Sequence, residues 1–309
     1  MRVAAIDIGT NTVLLLIADG GAGGALRPAA ERATITRLGQ GVDRTRRFSP
    51  AALARTVECL EAYARDVRDL GVERVAVVGT SAMRDAEEGD GLRATVRTLF
   101  GVEARVLSGD EEARLTFRGA MSGLPPDGER DLAIFDIGGG STEVVIGGMQ
   151  DGNPRIDFGA SYNVGGVRLT ERYVSHDPPS KEETEALVDE ARSAFAGVPP
   201  LPDASPPLGV AGTMTTLAAV FLGLETYDGE RVHGQLIPVS DLRRVVDRLA
   251  SLRLDARRVV RGMEPKRADV IVAGGLLALA LLDHWAATAV RISDRGVRWG
   301  LAEELLLES

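Results

Sequence analysis

Short apolar runs alternate with amphipathic stretches along the chain, which is the pattern of a mixed α/β protein. Apolar runs bounded by glycine or polar residues predict strands, and apolar residues at helical spacing predict the helices between them. Strands are predicted at residues 3–6, 13–18, 26–38, 74–78, 102–107, 132–135, 144–146, 155–161, 208–213 and 289–292. Helices are predicted at 50–70, 108–118, 164–173, 180–196, 214–222, 242–252, 268–285 and from 297 to about Glu308.

Two of the predicted hairpins share one arrangement. Residues 136–143, Asp-Ile-Gly-Gly-Gly-Ser-Thr-Glu, lie between two apolar strands, and residues 5–13 repeat the order of strand, aspartate, glycine turn and strand. Because glycines carry no Cβ, the backbone N–H groups of such a turn can converge on phosphate oxygens. A single turn of this kind is also compatible with a plain hairpin that has a flexible tip. The repetition instead predicts two similar domains facing each other across a cleft, each with a phosphate-binding turn.

The clearest linker is the sequence Gly-Leu-Pro-Pro-Asp-Gly at residues 123–128, and it sets the predicted domain boundary. A chain of 309 residues has room for two domains of ordinary size. We therefore predict an N-terminal domain over residues 1–124 and a C-terminal domain over residues 125–309.

The composition narrows the classes of partner. A net charge of −9 argues against nonspecific binding to nucleic acid or membrane surfaces, and an aromatic content of 4% leaves few stacking platforms for single strands. The single cysteine, Cys59, excludes an intrachain disulfide. Asp7 interrupts the N-terminal apolar run, and the longest apolar run, 270–282, is too short to span a membrane. A cytoplasmic protein is expected, and a small or linear polyanion held with a metal stays possible.

Two polar segments that follow strands are candidates for ligand contacts, because ligands of open α/β sheets bind beyond the carboxyl ends of the strands. Residues 79–84 end in Arg84, for which phosphate binding and a surface ion pair are equally good alternatives. Ser108 and Glu111 have capping-box spacing, so Glu111 has a structural task while Glu112 is left available for chemistry. The alternative for Glu112 is stabilisation of the helix end.

A third phosphate-type element is Gly212-Thr213, which precedes a helix N-terminus with its unpaired N–H groups. The three histidines are scattered without metal-ligand spacing, so each is predicted to be structural. Residues 253–267, the basic segment, are predicted to form a solvated helix face, with a track for an extended polyanion as the alternative.

The usual nucleotide and esterase signatures are absent from the sequence. There is no Gly-x-x-x-x-Gly-Lys-Ser/Thr motif, and Glu143 stands where a dinucleotide fingerprint or a nucleophile elbow needs glycine. What remains is a two-lobed phosphoryl-transfer site in which a carboxylate activates water for in-line attack on phosphorus.

The ordered motifs resemble the exopolyphosphatase / guanosine pentaphosphate phosphatase family of the actin–Hsp70–sugar kinase superfamily, in its short two-domain form. The resemblance implies an α/β fold with two actin-like, ribonuclease H-like domains around a central cleft. Threonine replaces serine at positions 10 and 12, which keeps the hydroxyl chemistry. The matching stretches are 4–12, 78–84, 107–115, 136–143, 211–213, 232–234, 265–269 and 293–296.

The resemblance also implies roles for individual residues. Glu112 would be the general base, Asp136 a catalytic carboxylate that positions metal or water, and Glu143 and Asp7 further metal ligands for Mg²⁺ or Mn²⁺. The residues that would bind phosphate are Asn11, Thr12, Arg84, Gly138, Gly139, Gly140, Ser141, Thr142, Gly212 and Thr213.

The predicted reaction is removal of the terminal orthophosphate from linear, short-chain inorganic polyphosphate. The alternative within the family is a 5′-phosphohydrolase for guanosine pentaphosphate, with links to guanosine tetraphosphate and the stringent response. An actin-like ATP-dependent kinase or assembly protein and a binding-only protein are the alternatives outside it. A homodimer that binds neither nucleic acid nor membrane is expected.

Overall fold

The computed structural model describes residues 1–21, 26–87, 89–122, 131–150, 153–202 and 205–307. The predicted linker at 123–128 and the predicted end of the last helix at Glu308 lie outside these residues. The strands are β1 (Arg2–Ile8), β2 (Thr12–Asp19), β3 (Arg27–Ile35), β4 (Arg74–Gly79), β5 (Ala104–Val106), β6 (Leu132–Ile137), β7 (Thr142–Gln150), β8 (Asn153–Tyr162), β9 (Leu208–Val210), β10 (Leu236–Pro238) and β11 (Ala289–Ile292).

The helices follow the same alternation along the chain, and a 3₁₀ turn covers Pro265–Arg267. They are α1 (Val42–Thr45), α2 (Pro50–Asp69), α3 (Ser81–Asp85), α4 (Gly89–Phe100), α5 (Gly109–Met121), α6 (Gly166–Tyr173), α7 (Lys181–Phe195), α8 (Ala211–Leu222), α9 (Gly229–Val232), α10 (Val239–Ser251), α11 (Leu254–Arg258), α12 (Ile271–His284) and α13 (Val297–Leu307).

Each of two compact units contains one sheet, and the two sheets repeat one order. In the first, β1, β2 and β3 form an antiparallel meander and β4 and β5 add in parallel on the other side of β1, giving β3-β2-β1-β4-β5. In the second, β8-β7-β6-β9-β11 has the same order and directions, with β10 antiparallel at the edge. The predicted α/β fold with two similar domains is confirmed by this duplication.

The units are Met1–Gly123 with Gly296–Ser309, and Leu124–Arg295. The prediction assigned all of 125–309 to the second domain, whereas the structure packs α13 in the first unit. The reason is apolar burial, since Trp299 and Leu301 of α13 share a core with residues of β1, β2 and α5. A Cβ at Gly300 would collide with the Leu115 carbonyl, so glycine there allows α5 and α13 to approach closely.

The apolar stretch near the C-terminus forms α12, which is buried as predicted. Its glycines allow close packing, because a Cβ at Gly274 would lie 2.7 Å from a Thr213 methyl and one at Gly275 equally close to Val246. Within the described residues, no helix is both long and apolar enough to cross a membrane.

Candidate functional site

The two glycine turns have the same geometry. The strand pairs Ile8–Val13 and Ile137–Thr142 each enclose four residues, which define the first turn (residues 9–12) and the second turn (residues 138–141). In the first turn the Gly9 N–H donates to the fourth residue's carbonyl at 3.1 Å, and in the second the equivalent bond is 3.0 Å. One aspartate, Asp7 or Asp136, lies two residues before each turn. The predicted repetition is therefore present at the level of individual hydrogen bonds.

The carbonyl groups of the three glycines in the second turn point to the N-terminus of α6. Gly166 N–H donates to the Gly138 carbonyl at 2.9 Å, and Val167 N–H donates to that of Gly139 at 2.8 Å. The Arg168 Nε–H donates to the Gly140 carbonyl at 2.7 Å. Arg168 is only 7% exposed, so its positive charge lies buried behind the turn.

This arrangement fixes the direction of the backbone N–H groups in the second turn. A peptide carbonyl and the next N–H point in opposite directions, so the N–H groups of Gly139, Gly140 and Ser141 face away from α6. No hydrogen bond from these three amides is recorded among the described residues. The positive end of the α6 dipole lies on the far side of the turn. The second turn thus has the properties of an anion-binding cradle, as the sequence predicts.

The first turn carries a buried amide side chain that lacks partners. The Asn11 carbonyl accepts from the N–H groups of Thr36 and Arg37 at 3.1 and 3.0 Å. The side-chain atoms Oδ1 and Nδ2 of Asn11 are buried and have no hydrogen-bond partner in the described part of the chain. The whole residue is only 6% exposed. An unsatisfied buried amide is costly, so a ligand or bound water is expected to complete it. Asn11 stays a predicted phosphate ligand on this ground.

The carboxyl ends of three parallel strands meet at one edge of the first sheet. Ile8 of β1 pairs with Gly79 of β4, which pairs with Val106 of β5. The first turn, the segment containing Arg84 and the start of α5 with Glu112 therefore leave the sheet side by side. Residues 81–85 form the short helix α3, rather than the loop predicted there.

Arg84 and Glu112 are in direct contact. Arg84 Nη1 lies 2.6 Å from Glu112 Oε2 and donates to the Leu107 carbonyl at 2.8 Å. Glu112 is 6% exposed. Arg84 therefore fits neither alternative as predicted. Its ion pair is with a buried carboxylate and not with a surface residue, and the nitrogen that would bind phosphate already donates to that carboxylate.

The two adjacent glutamates have separate environments, as the capping-box argument predicts. The Ser108 hydroxyl accepts from the Glu111 N–H at 3.2 Å, and the Glu111 carboxylate accepts from the Ser108 N–H at 2.9 Å. The Ser108 N–H holds the pKa of Glu111 below its usual value. Glu111 is therefore engaged in capping α5, while Glu112 points to Arg84.

Asp136 and Glu143 form a pair of neighbouring carboxylates. They are directly opposite on the antiparallel strands β6 and β7, so their side chains share one face with Cβ atoms about 5 Å apart. Glu143 is 1% exposed and accepts from the Ser161 hydroxyl at 2.7 Å. The corresponding strand neighbours of Asp7 are Leu14 and Val78, so no acid lies opposite it.

The donor chemistry of this pair fits a hard cation. Mg²⁺ takes oxygen ligands and is commonly held by one or two carboxylates together with water and substrate phosphates. A group of three or more acidic, histidine or cysteine side chains arranged for a metal does not occur within the described ranges. The metal set of Asp7, Asp136 and Glu143 stays a prediction.

Two predicted phosphate-binding hydroxyls are used inside the second unit. Thr142 Oγ1 donates to the Val164 carbonyl at 2.7 Å, and Thr213 Oγ1 donates to the Ile137 carbonyl at 2.8 Å. Both hydroxyl protons are therefore already engaged, and these side chains hold the second turn in place. The N–H groups in the first turn of α8 have no intrahelical acceptor and remain the better candidates for phosphate at Gly212.

Arg267 is a site residue that was not predicted from the sequence. A Cβ at Gly212 would collide with the Arg267 guanidinium, which therefore lies directly on the Gly212 backbone. Burial lowers the pKa of Arg267, while the carboxylates of Glu264 and Asp136 act in the opposite direction. The guanidinium thus contributes positive charge beside Asp136 and the start of α8. Its position in the 265–269 motif was the available signal.

The rest of the basic segment is exposed at Arg253, Arg258, Arg261 and Lys266, as predicted, but not at Arg257. Arg257 is 3% exposed, and it donates to the carbonyl oxygens of Leu249, Leu252 and Ala268, each at 2.8 Å. Arg258 forms an ion pair with Asp255, and Arg261 forms one with Glu225. The predicted solvated face is confirmed for the exposed residues and is wrong for Arg257, which ties neighbouring elements together. The track for an extended polyanion stays a prediction.

His233 contacts a neighbouring loop, and its structural role stays a prediction. Its Nδ1 accepts from the Asp294 N–H at 3.4 Å, so it steadies the loop that follows β11. Burial, assisted by the charge of Arg295, lowers the pKa of His233 to about 4. The ring is therefore neutral at neutral pH.

Comparison with known proteins agrees with these features. A model of the Ppx/GppA phosphatase family matches residues 16–309. The chain belongs to this family. It is 39% identical to Exopolyphosphatase 2 of Mycobacterium tuberculosis over 98% of each chain. It is 26% identical to a guanosine-5′-triphosphate,3′-diphosphate pyrophosphatase of Photobacterium profundum, over 98% of this chain and 59% of that protein.

The fold of the family is also matched directly. A crystal structure of an exopolyphosphatase-like protein superposes with a TM-score of 0.89 at 32% identity, covering 100% of this chain and 99% of the other. The family predicted from the motifs is thus confirmed by both sequence and structure.

Proposed function

We propose that this chain is an exopolyphosphatase that removes the terminal orthophosphate from linear inorganic polyphosphate, with short chains preferred. The observation that carries the proposal is the buried Glu112 carboxylate, held at 2.6 Å by Arg84 at the sheet edge where the Asn11 turn lies. The similarity to an exopolyphosphatase at 39% identity supports the same substrate class.

In this mechanism the carboxylate of Glu112 accepts a proton from water as the water oxygen attacks the terminal phosphorus. The bond from that phosphorus to its bridging oxygen breaks, which releases orthophosphate and a chain one phosphate shorter. General-base assistance of this kind contributes about 10²- to 10⁴-fold to the rate. Arg84 orients the carboxylate, because its guanidinium also bonds to the fixed Leu107 carbonyl.

Phosphate binding relies on backbone groups more than on side chains. In the second unit, the amides of Gly139, Gly140 and Ser141 donate to phosphate oxygens, with Arg168 and Arg267 supplying positive charge around them. In the first unit, the unpartnered Asn11 amide donates and accepts. Such donors are fixed before substrate arrives, so little reorganisation is needed during the reaction.

Mg²⁺ or Mn²⁺ is part of the proposal, held by Asp136 and Glu143. When bound, the ion neutralises negative charge on the terminal phosphates. Asp7 remains a predicted contributor. Removal of divalent metal with a chelator is expected to abolish phosphate release, and added Mg²⁺ is expected to restore it.

The similarity to the Photobacterium profundum protein makes guanosine pentaphosphate the second candidate substrate. Both substrates end in a phosphoanhydride, so the phosphate-binding groups described for each unit suit either of them. The distinguishing experiment measures orthophosphate release from polyphosphate, guanosine pentaphosphate and ATP at equal concentrations with Mg²⁺. The proposal expects the highest kcat/KM with polyphosphate. Turnover of ATP alone, and only with a phosphate acceptor, would contradict it, as would the absence of any turnover.

The proposed setting is a cytoplasmic homodimer that binds neither nucleic acid nor membrane. The net charge of −9 supports the absence of polyanion binding outside a local site. Light scattering of the purified chain tests the dimer, and fractionation of cells tests the compartment.

A further inference from the structure

The segment of residues 36–47, here called the arginine loop, is fastened to the first turn. The N–H groups of Thr36 and Arg37 donate to the Asn11 carbonyl, and the Gly39 N–H donates to the Thr10 carbonyl at 2.8 Å. A Cβ at Gly39 would collide with the Thr10 side chain, so the two segments are in close contact. The loop therefore borders the turn whose Asn11 amide lacks partners.

The other end of the arginine loop reaches the neighbourhood of the predicted base. The Arg46 carbonyl accepts from the N–H of Glu87 at 2.9 Å, just after α3. The helix α3 carries Arg84, the partner of Glu112. The loop thus spans the space between the phosphate-type turn and the segment that holds the catalytic carboxylate.

The loop is anchored by apolar side chains rather than by its charges. Leu38 and Val42 of the loop, together with Phe48 directly after it, are buried in the core that also contains residues of β1 and β2. The short helix α1 within it begins after Gly41, whose φ of 78° favours glycine. The arginines are consequently presented on a fixed backbone, which reduces the entropy lost when they bind a ligand.

The net charge of the arginine loop is positive, whereas that of the whole protein is negative. The loop contains the four arginines 37, 44, 46 and 47 and one acid, Asp43, in a chain where acidic residues outnumber basic ones by 45 to 36. Arg44 and Arg46 are exposed, and no ion pair is recorded for either within the described residues. By contrast, arginines of the basic segment are occupied by carbonyls and carboxylates.

We propose that the arginine loop binds the part of a polyphosphate chain that lies beyond its reacting end. The ligand class is a linear polyanion with regularly spaced phosphates, which the planar guanidinium groups contact one after another. The inference rests on the proposed exopolyphosphatase function and adds to it, because the loop makes affinity increase with chain length until the chain reaches past the loop. Further phosphates add no affinity, so short chains that just reach the loop already bind as tightly as long ones. The site acts on KM and leaves the chemistry of the terminal phosphate to Glu112.

The test is a double variant, Arg44→Gln with Arg46→Gln, assayed on polyphosphates of increasing length. Exposed ion pairs are individually weak, so KM for long chains is expected to rise about 3- to 10-fold. The increase should be smallest for triphosphate, and kcat should change little. The wild-type KM for long chains should also rise more steeply with salt than that of the variant, since salt screens exposed charges. Arg44→Lys with Arg46→Lys keeps the charge and should recover most of the affinity.

The matched control is Arg65→Gln with Arg68→Gln, which removes two exposed arginines of the same unit. These residues lie near the end of α2, where the Leu70 carbonyl accepts from Arg2 at the start of β1. The start of β1 and the first turn, which follows the end of β1, lie at opposite ends of the strands of this sheet. The control should leave the dependence on chain length unchanged. An equal effect from both double variants, or an effect independent of chain length, would overturn the proposal.

Equilibrium binding separates this proposal from the proposed function. Long polyphosphate and triphosphate are titrated into the Glu112→Gln variant with and without the two loop substitutions. A loss of binding limited to long chains supports the loop site even if the wild type hydrolyses only guanosine pentaphosphate. Identical binding of long chains by both proteins contradicts it, whatever the turnover.

Discussion

Arg84 shows how one side chain can be interpreted in two ways from sequence and in a third way from structure. Its position after a strand suggested a phosphate ligand or a surface ion pair with equal weight. The structure instead places its Nη1 between Glu112 and the Leu107 carbonyl. The partner could not be derived from the sequence, because the two residues are 28 positions apart on different elements.

The two roles of Arg84 make different kinetic predictions. If Arg84 positions Glu112, then Arg84→Gln lowers kcat by up to about 100-fold with a smaller change in KM, because a misoriented base is inefficient. Arg84→Lys recovers part of the rate. Steady-state kinetics on polyphosphate measure both constants, with Arg97→Gln as a control that breaks the exposed pair with Glu103. A rise in KM alone would show that Arg84 acts only as a phosphate ligand.

At the scale of elements, the parts of the site with local signals were predicted well. The capping box of α5 and the two glycine turns depend on residues within a few positions of each other, and all are present. The short elements α3 and β10 were missed, because tertiary contacts decide such segments more than periodicity does. The 12-residue helix α4 was also missed, although Leu92, Val96 and Leu99 recur at helical spacing. The packing of α6 behind the second turn could not be predicted from the sequence, because Arg168 is 28 residues from Gly140, whose carbonyl accepts its hydrogen bond.

The capping box of α5 links stability to catalysis. Ser108→Ala should lower the free energy of unfolding by about 1 kcal/mol, because the Glu111 N–H loses its acceptor. It should also lower kcat, because the first turn of α5 positions Glu112. The control is Ser180→Ala in the equivalent box of α7, which should cost similar stability without lowering kcat. Urea unfolding and phosphate release measure the two effects, and equal kcat values for both variants would contradict the link.

Arg168 tests whether the second turn needs support from behind. Arg168→Met leaves the Gly140 carbonyl without its charged donor, which should cost about 1–3 kcal/mol of stability. The turn amides should then bind phosphate less well, so inhibition by inorganic phosphate should weaken. Arg168→Lys should restore part of both. Unchanged phosphate inhibition in a destabilised Arg168→Met protein would limit Arg168 to a role in folding.

At the scale of the whole molecule, the duplication of one domain architecture was predicted from two short motifs, whereas the assignment of α13 to the first unit was not. The motifs at residues 5–13 and 136–143 recur because each unit needs a turn at the same strand end. The chain's return to the first unit depends on the burial of Trp299 against β1 and β2, which no linker signal reports. Apolar segments near a C-terminus can complete the core of a distant unit, so a linker alone does not define a domain.

The stability of the protein should fall in mild acid through His233. Its pKa in the folded state is about 4, below the ordinary value of 6.5, so the unfolded chain binds a proton first as pH falls. Stability is therefore complete above about pH 6.5 and decreases between pH 6.5 and 4, by at most about 1.4 kcal/mol per pH unit. The free energy of unfolding, measured with urea at each pH in this range, should fall less steeply with decreasing pH in His233→Asn than in the wild type. Parallel curves for the two proteins would contradict the assignment.

The central claim is that Glu112, and not its neighbour, activates water. The measurement is phosphate release from polyphosphate by two matched variants, Glu112→Gln and Glu111→Gln. A capping box accepts glutamine as well as glutamate, so Glu111→Gln should keep near-normal kcat. Glu112→Gln should lose about 10²- to 10⁴-fold in kcat while still binding the substrate. A near-normal rate for Glu112→Gln, or equal losses for both variants, would contradict the account.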